Sequence, residues 1–370
     1  MPLPEGSTCE GGTCDGKGVC AVSTCASGAQ DGDETGLDCG GSCGLCPDGQ
    51  GCAAPEDCLS GVCKDSQCQA SACSDGVKNG KETGVDCGGG CPLKCQLGEA
   101  CAINNDCAVA AGDFADSVRC VDAKCVSTKP PTQGGTPRYW QDFRPERLMA
   151  NAESCTATDK VCLVGALSLY QMGGIGTTGA AKAITKAILT NEGVVGSGGT
   201  LDGSLCLTRP GTDLSLLSAG AITVMAWVKP TRNKAPWESA IIGGLSHYFI
   251  ALDTNPTTQR FLAAVGTAQS AAFAYHSSTA TGEVPTGTWH HVAAVYSSAS
   301  AKLTQYVDGA QVAETSLSGN LPTEPVAVFL GCRKDATWGQ FFIGSLDEVV
   351  VYPRALAAAE LTDYVHRTKP

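Results

Sequence analysis

The sequence predicts an all-β chain in two parts, with small disulfide-stapled, loop-rich repeats followed by a jelly-roll β-sandwich. Of its 23 cysteines, 19 precede residue 126, whereas 20 of its 21 aromatic residues follow residue 138. Short segments that alternate apolar and polar residues recur through the second part, and this period of two is typical of strands. The first part therefore needs cross-links for order, and the second part has the side chains for a core.

Charge and hydropathy exclude two classes of protein. The net charge is -12, and the first 130 residues hold 19 acidic against 8 basic residues, which argues against a nucleic-acid surface. The longest apolar stretches, such as 219–228, reach only about half of the ~20 residues that a spanning helix needs. We expect no nucleic-acid partner and no membrane-spanning segment.

Cysteine content predicts the compartment. Nineteen cysteines within 125 residues favour an oxidising environment, so we expect a secreted, extracellular protein associated with the cell surface. Residues 1–7 have neither the basic nor the apolar region of an export signal. We therefore expect a mature or trimmed chain that something precedes.

The first part is an array of repeats. Both copies carry E-T-G-x-D-C-G-G-x-C, at residues 34–43 and 82–91, and each full copy holds eight cysteines. Cys9, Cys14 and Cys20 match the tail of a third copy, which makes the cysteine count odd. The predicted boundaries are 1–24 for the partial repeat, 25–72 and 73–128 for the full repeats, 129–138 for a Pro/Gly linker and 139–370 for the sandwich.

Zinc is the alternative to disulfides in the repeats, and calcium binding by their acidic residues is a separate question. Cys43-x-x-Cys46 has a spacing that suits zinc, but the second copy has Cys91-x-x-x-Cys95 and no histidine precedes His247. Acidic and amide side chains beside glycine turns are either calcium ligands or solvated turn residues. They are Asp31, Asp33, Glu34, Asp38, Asn79, Glu82 and Asp86. We predict disulfides and leave the calcium question open.

The second part shows a regular series of short strands. The segment 221–229 alternates strictly, and eight further strands are predicted between residues 240 and 352. Asp308-Gly309 separates two of them, and both residues tolerate the positive φ of a tight hairpin.

Two resemblances follow from these motifs. D-G-D-E-T-G-L-D-C-G-G-S-C and its second copy resemble cysteine-rich repeats of large secreted Gram-negative bacterial proteins, which implies a surface location and no enzymatic activity. G-T-W-H-H-V-A-A-V-Y, K-L-T-Q-Y-V-D-G-A-Q-V and F-I-G-S-L-D-E-V-V-V-Y-P-R-A-L resemble the laminin-G/pentraxin branch of the concanavalin A-like lectin and glucanase superfamily over residues 195–366. This resemblance implies a concanavalin A-like jelly-roll sandwich of two antiparallel sheets, with residues 355–366 as a short closing helix.

No catalytic constellation is predicted. Glycan-cleaving members of the superfamily use paired carboxylates, and no E-x-D-x-E array occurs here. Asp347 and Glu348 are adjacent, so we expect them to face opposite ways, one inward and one toward solvent. His290 and His291 are expected to have framework roles, and no catalytic residue is proposed.

Calcium is the expected cofactor of the sandwich. In many members of the superfamily that this chain resembles, a structural calcium ties the first and last strands together. The matching positions are Asp202, Asp347 and, through its carbonyl, Gly203. The alternative is that Asp202 caps a turn and Asp347 accepts a backbone amide.

Aromatic and polar side chains in loops are the candidates for ligand binding, because rings stack on sugar faces. They are Trp237, His247, Tyr248, Tyr275 and Trp338. Four cysteines remain for bridges, and one pairing open to them is Cys155 with Cys162 and Cys206 with Cys332. Four cysteines allow three pairings, among which the sequence does not choose.

The sequence predicts an extracellular surface protein whose stapled stalk presents a sandwich that binds glycan or extracellular protein. One alternative is a structural subunit of an extracellular fibre or sheath, in which the partner is the chain itself. The other is an accessory module of a polysaccharide-degrading enzyme.

Overall fold

The computed structural model describes most of the repeats and the strands of the sandwich. The described residues are 8–9, 12–14, 17, 20–22, 24–30, 32–111, 113, 115–133, 139–141, 168–171, 189–190, 193–196, 198–203, 205–209, 220–231, 239–244, 248–255, 258–267, 282–322, 328–333 and 340–370. The chain divides into two compact units, Met1–Ser127 and Thr128–Pro370. Each is described by itself below.

Regular structure in the first unit is sparse. Its strands are β1 (Thr8–Cys9), β2 (Gly12–Cys14), β3 (Cys20–Val22), β4 (Cys63–Lys64), β5 (Gln67–Cys68), β6 (Val118–Val121) and β7 (Lys124–Ser127). Short 3₁₀ turns lie at Thr24–Ala26, Pro55–Asp57, Asn104–Asp106 and Ala115–Ser117. Most residues of the repeats therefore lie in turns.

The two full repeats share one disulfide connectivity. The first copy pairs Cys25–Cys43, Cys39–Cys46, Cys52–Cys63 and Cys58–Cys68. The second copy pairs Cys73–Cys91, Cys87–Cys95, Cys101–Cys120 and Cys107–Cys125. Numbering the cysteines of a repeat from one to eight, the bonds are 1–3, 2–4, 5–7 and 6–8. Disulfides are thus confirmed, and the pairing that sequence left open is the same in both copies.

Cystine dominates the core of each repeat, and Val118 is the one other member of the buried cluster described in the second copy. The buried cluster of the first copy contains only cysteines, whereas large apolar side chains such as Leu59 are exposed, at 71%. The D-C-G-G motif permits this packing, because Gly40 has a φ of +76° and a Cβ there would lie 1.8 Å from Oγ1 of Thr35. The glycine is therefore required both for its φ and for its lack of a side chain.

Carboxylates take the place of regular backbone hydrogen bonding in the repeats. Asp57 accepts the N–H groups of Gly41, Ala53 and Ala54, at 3.1, 2.8 and 3.1 Å. Its counterpart Asp106 accepts those of Gly89, Ala102 and Ile103. The other equivalent pairs behave alike, with Asp38 and Asp86 bound to Gly28 and Gly76, and Glu34 and Glu82 bound to the amides of Asp38 and Asp86. These carboxylates thus accept amides of the turns, and calcium binding in the repeats stays a prediction. Asp31 lies outside the described residues.

Two antiparallel sheets form the second unit. Its strands are β8 (Tyr139–Gln141), β9 (Ser168–Gln171), β10 (Leu189–Thr190), β11 (Gly198–Asp202), β12 (Leu205–Arg209), β13 (Ala221–Pro230), β14 (Ser239–Gly244), β15 (Tyr248–Asn255), β16 (Thr258–Val265), β17 (His290–Ser297), β18 (Lys302–Val307), β19 (Ala310–Ser316), β20 (Val328–Leu330), β21 (Cys332–Arg333), β22 (Gln340–Phe341) and β23 (Ile343–Tyr352). The first sheet has the order β10-β11-β23-β13-β17-β18-β19, with β8 also paired to β23. The second has the order β16-β15-β14-β20-β12-β9.

Apolar side chains from both sheets form the main core. It includes Val224 and Val292 of the first sheet and Ile250 and Phe261 of the second. The predicted hairpin is present, since β18 and β19 are joined by Asp308 and Gly309 with φ values of +50° and +79°. The all-β fold predicted from alternation is confirmed.

A C-terminal helix covers the outer face of the first sheet. This helix, α1 (Ala358–Thr368), buries Leu361 and Tyr364 against Met225 and Val350. At its start, the Glu360 carboxylate accepts the N–H of Ala357 at 2.8 Å, which satisfies an otherwise unpaired amide of the first turn. The first sheet therefore packs apolar side chains on both of its faces, in the main core and beneath the helix.

Part of the segment predicted as a linker packs on the sandwich. The Tyr352 hydroxyl donates to the carbonyl of Pro131 at 2.9 Å, and the Arg354 guanidinium donates to that of Gln133 at 2.6 Å. Residues 128–133 therefore belong to the second unit, whereas residues 134–138 lie outside the described part of the chain.

Candidate functional site

Several connections of the sandwich meet at one end of the first sheet. Asp202 at the end of β11 pairs with Ile343 at the start of β23, and Pro230 at the end of β13 pairs with the neighbouring Gly344. We call this edge, defined by Asp202, Pro230 and Ile343, the Pro230 end. Backbone bonds join its connections, from Thr231 N–H to the Ile343 carbonyl at 3.2 Å and from Gly287 N–H to the Pro230 carbonyl at 2.7 Å.

Four of the five predicted ligand-binding residues belong to segments of which only the flanking residues are described. Trp237, His247, Tyr275 and Trp338 themselves lie outside the described residues. The segment 232–238 follows Thr231, and 334–339 joins β21 to β22 just before Ile343, so both attach at the Pro230 end. The segments 245–247 and 268–281 instead attach near Tyr248 and Val265, which pair at the opposite end of the second sheet. The described residues that flank these segments therefore lie at two different ends of the sandwich.

Tyr248 is a core residue, so its prediction as a ligand contact is wrong. Its side chain is 1% exposed and packs in the main core beside Ile250. The sequence showed an aromatic residue next to a turn, but β15 begins at this residue and its alternation directs the ring inward.

A chain of polar side chains lies at the Pro230 end. Nδ1 of His290 lies 2.8 Å from Oδ2 of Asp308, and Nε2 of the same ring lies 2.9 Å from Oγ1 of Thr288. Burial raises the pKa of Asp308, but hydrogen bonds from the His290 ring and the His291 amide outweigh it and lower that pKa below its ordinary value. The ionised carboxylate accepts from Nδ1 and so orients the ring toward Thr288.

The proposed calcium ligands are not brought together, so that ligand set is wrong. Asp202 pairs with Ile343, and Asp347 lies four residues further along β23, roughly 13 Å away at the rise of a strand. Gly203 follows Asp202 and is equally remote from Asp347. The Asp347 carboxylate accepts the amides of Val194 and Val195 instead, at 2.8 and 2.9 Å. This is the backbone-amide alternative that the sequence left open for Asp347.

Asp347 and Glu348 are both buried, which corrects the prediction that one of them faces solvent. The register of β13 and β23 shifts between Met225 and Trp227, and Glu348 has a φ of +46°. This bulge interrupts the simple alternation, and α1 covers the face where solvent was expected. Oε2 of Glu348 accepts the Tyr364 hydroxyl at 2.9 Å.

His291 completes a buried polar layer under α1. Its ring lies between those of Trp227 and Tyr364, with centroids 5.3 and 5.7 Å away, both edge-on. Trp227 donates its indole N–H to Thr368 at 3.0 Å. Burial lowers the pKa of His291 to about 3, with a smaller opposing effect from Asp308, so the ring is neutral at physiological pH. Both histidines thus have framework contacts.

The structure describes two of the four cysteines that remain for bridges in the second part. Cys332 is disulfide-bonded. Cys206 lies on β12, whose next residue, Leu207, pairs with Leu330. Cys155 and Cys162 lie outside the described residues. The pairing of Cys206 with Cys332 stays a prediction.

Sequence reasoning missed the Thr288–His290–Asp308 chain. It assigned Asp308 to the hairpin and His290 to the framework without connecting them. The available signal was the register of the hairpin, which brings Val307 opposite Val292 and so places Asp308 beside the start of β17.

Residues 202–362 match the family Laminin_G_3, described as the concanavalin A-like lectin/glucanases superfamily. No curated protein sequence matches the chain. No helix among the described residues has the length and apolar character to cross a membrane.

Several solved structures are similar at low identity. Domain 4 of AbnA, a GH43 extracellular arabinanase from Geobacillus stearothermophilus in complex with arabinotriose, is 20% identical with a TM-score of 0.41, covering 54% of this chain and 87% of that one. A SAP-like pentraxin from Limulus polyphemus is 18% identical with a TM-score of 0.31, covering 39% and 69%. A Trypanosoma rangeli sialidase is 16% identical with a TM-score of 0.33, covering 46% of this chain and 27% of the sialidase. From the family match and the two-sheet topology, the chain contains a concanavalin A-like lectin/glucanase domain at residues 202–362.

Proposed function

We propose that the protein is an extracellular recognition protein whose sandwich binds glycan at the Pro230 end and whose repeats act as a stapled stalk. The observation that carries the proposal is the match of residues 202–362 to a lectin and glucanase family, together with the meeting of several connections at one end of the sheet. The eight disulfides of residues 25–125 favour an oxidising compartment.

The chemistry of the Pro230 end suits a neutral polyhydroxylated ligand. Asp308 is an ionised acceptor that remains half-exposed, with 46% of its side chain accessible, so it can accept sugar hydroxyls in addition to its two protein donors. The segments that carry Trp237 and Trp338 attach at the same end, and indole rings stack on the apolar faces of sugars. We propose these two tryptophans as the stacking residues.

We propose binding without catalysis. A retaining glycosidase needs two carboxyl groups about 5–5.5 Å apart and open to substrate. The adjacent carboxylates of β23 do not meet that requirement, since Asp347 is engaged with backbone amides and Glu348 with Tyr364 beneath α1. Their contacts support a structural role for the one conspicuous acidic pair of the sequence motif.

A glycan array probed with the full-length protein tests the proposal. The double variant Trp237→Ala/Trp338→Ala should lose retention, while His247→Ala/Tyr275→Ala should keep it, because the latter segments attach at the opposite end. Loss of glycan retention only in His247→Ala/Tyr275→Ala would contradict a site at the Pro230 end and favour one at the opposite end. A wild-type protein that retains no glycan would refute glycan binding. Polymers in concentration-dependent light scattering would favour the fibre alternative, and release of shortened glycan would refute the absence of catalysis.

A further inference from the structure

The disulfides of each repeat divide it into two covalently separate halves. In the first repeat, Cys25–Cys43 and Cys39–Cys46 cross each other, as do Cys52–Cys63 and Cys58–Cys68. None of the eight disulfides of residues 25–125 connects one half with the other. Only the peptide between the fourth and fifth cysteines joins them covalently, six links long in both copies.

Backbone bonds and one carboxylate hold the halves together without a covalent link. Cys46 donates to the Asp57 carbonyl at 2.6 Å, and Leu59 donates back to the Cys46 carbonyl at 2.9 Å. The Asp57 carboxylate accepts Gly41 from the first half and Ala53 from the segment that begins the second. Asp106 occupies the same place in the second repeat. The halves can thus part while every disulfide stays intact.

We propose that the repeats are a load-bearing element in which the second half of each repeat transmits tension through either of two alternative disulfides. From Cys52, force can cross to Cys63 and follow five peptide links to Cys68. It can also follow six links to Cys58 and then cross to Cys68. The two routes differ by a single link, so the loss of either bond leaves the load path nearly unchanged.

The second repeat has the same two routes despite its longer sequence. From Cys101 the paths to Cys125 again contain five links through Cys120 or six through Cys107. The insertion at residues 110–117 lies between Cys107 and Cys120, and both routes bypass it. Tension therefore leaves this segment slack, which frees its sequence from any mechanical constraint.

The covalent path sets a limit on extension. With all bonds intact, roughly a third of the 100 peptide links between Cys25 and Cys125 carry load, together with four disulfide crossings that each span 5.4–5.9 Å between Cα atoms. At ~3.6 Å per link the maximum is ~150 Å. Reduction brings the whole segment under tension and raises the maximum to ~360 Å. The inference rests on the proposed stalk role, but glycan binding by the sandwich has no part in it.

Single-molecule stretching of the full-length chain tests the proposal, with attachment handles at positions 24 and 129. The oxidised protein should stop near ~150 Å, and a reductant should add ~200 Å. Cys52→Ser/Cys63→Ser should add only one link, about 4 Å, and Cys58→Ser/Cys68→Ser should add none. Replacing all four of these cysteines by Ser should add 11 links, about 40 Å.

The control variant Asp57→Asn/Asp106→Asn should lower the force at which the halves part, with the final length unchanged. A gain of about 40 Å from the loss of Cys52–Cys63 alone would overturn the redundancy. An oxidised protein that extends as far as the reduced one would overturn the load path itself. The comparison of oxidised with reduced wild-type protein needs no variant, so a variant that misfolds does not decide the result. Failure of glycan binding would not change any of these lengths.

Discussion

Oδ2 of Asp347 accepts the backbone amide of Val194 at 2.8 Å across 153 positions of sequence. The same oxygen accepts Val195 at 2.9 Å, while Oδ1 accepts the amide of Glu348 at 2.8 Å. One buried carboxylate thus fastens the chain before β11 to the bulge of β23. The sequence predicted Asp347 as a calcium ligand. Its contacts instead indicate that the stability of the sandwich depends on the hydrogen bonds of this carboxylate.

Asp347→Asn should lower the free energy of unfolding of the sandwich. The amide keeps one acceptor oxygen but turns an NH₂ group toward amide donors, which costs about 1.5–3 kcal/mol for a hydrogen bond to a charged group. Urea denaturation followed by tryptophan fluorescence measures the change. Glu314→Gln is the control, since the exposed pair of Glu314 with Lys302 is worth at most about 1 kcal/mol. Equal midpoints for the two variants would contradict the assignment.

His291 should make the sandwich sensitive to mild acid. Burial lowers its pKa from 6.5 to about 3, so between these values the unfolded chain binds a proton that the folded state does not. Stability should therefore fall as the pH drops below 6.5, by about 1.4 kcal/mol per unit from this group. The denaturation midpoint should fall less between pH 7, 6 and 5 in His291→Phe than in the wild type. The exposed control His366→Gln should follow the wild type. A His291→Phe profile parallel to that of the wild type would refute this role.

Protonation of Asp106 in strong acid should destabilise the second repeat. Burial raises its pKa, but hydrogen bonds from the amides of Ala102, Gly89 and Ile103 outweigh that effect and lower it to about 2 from 3.8. The contribution of this depressed carboxyl is present above pH 3.8 and is lost as the pH falls toward 2. Amide hydrogen exchange at Gly89 and Ala102 should accelerate in that window and be fast throughout in Asp106→Asn. The exposed Asp48→Asn should leave these amides protected, and faster exchange there would point to a general charge effect.

Gly40→Ala should prevent correct closure of the first repeat. A Cβ at this position meets Oγ1 of Thr35 at 1.8 Å, in addition to the strain of a φ of +76°. Titration with a thiol reagent under oxidising conditions should detect free thiols in this variant. Gly49→Ala separates the two causes, because φ is +85° there but no atom lies within 4 Å of the added Cβ. Equal thiol counts in both variants would assign the effect to φ alone.

The sequence predicted the fold wherever a physical pattern is local. Alternation in 221–229 anticipated β13, and the Asp308-Gly309 dipeptide anticipated the hairpin of β18 and β19, because both depend on neighbouring residues. Cysteine spacing predicted cross-linked repeats but not their pairing, since spacing alone permits many connectivities.

The candidate site was predictable only in part, because it depends on register and on what covers each face. Tyr248 was predicted as a ligand contact because its sequence position beside a turn does not show whether its face of β15 is buried. Glu348 was assigned to solvent because a bulge and a covering helix are invisible to strand alternation. Thr288, His290 and Asp308 come together only through the pairing of β17 with β18.

The position of β23 determines when the sandwich can form during synthesis. This strand lies between β11 and β13 and also pairs with β8, although residues 343–352 are the last strand to be made. Until they emerge, the edges of β11 and β13 stay open, and non-local pairing of this kind is slow and prone to misassociation. The repeats close loops no longer than 19 residues and can mature while the rest of the chain is still being produced. The two units can thus fold at different stages of synthesis. A chain halted before residue 343 would have folded repeats and an incomplete sandwich that is prone to aggregate.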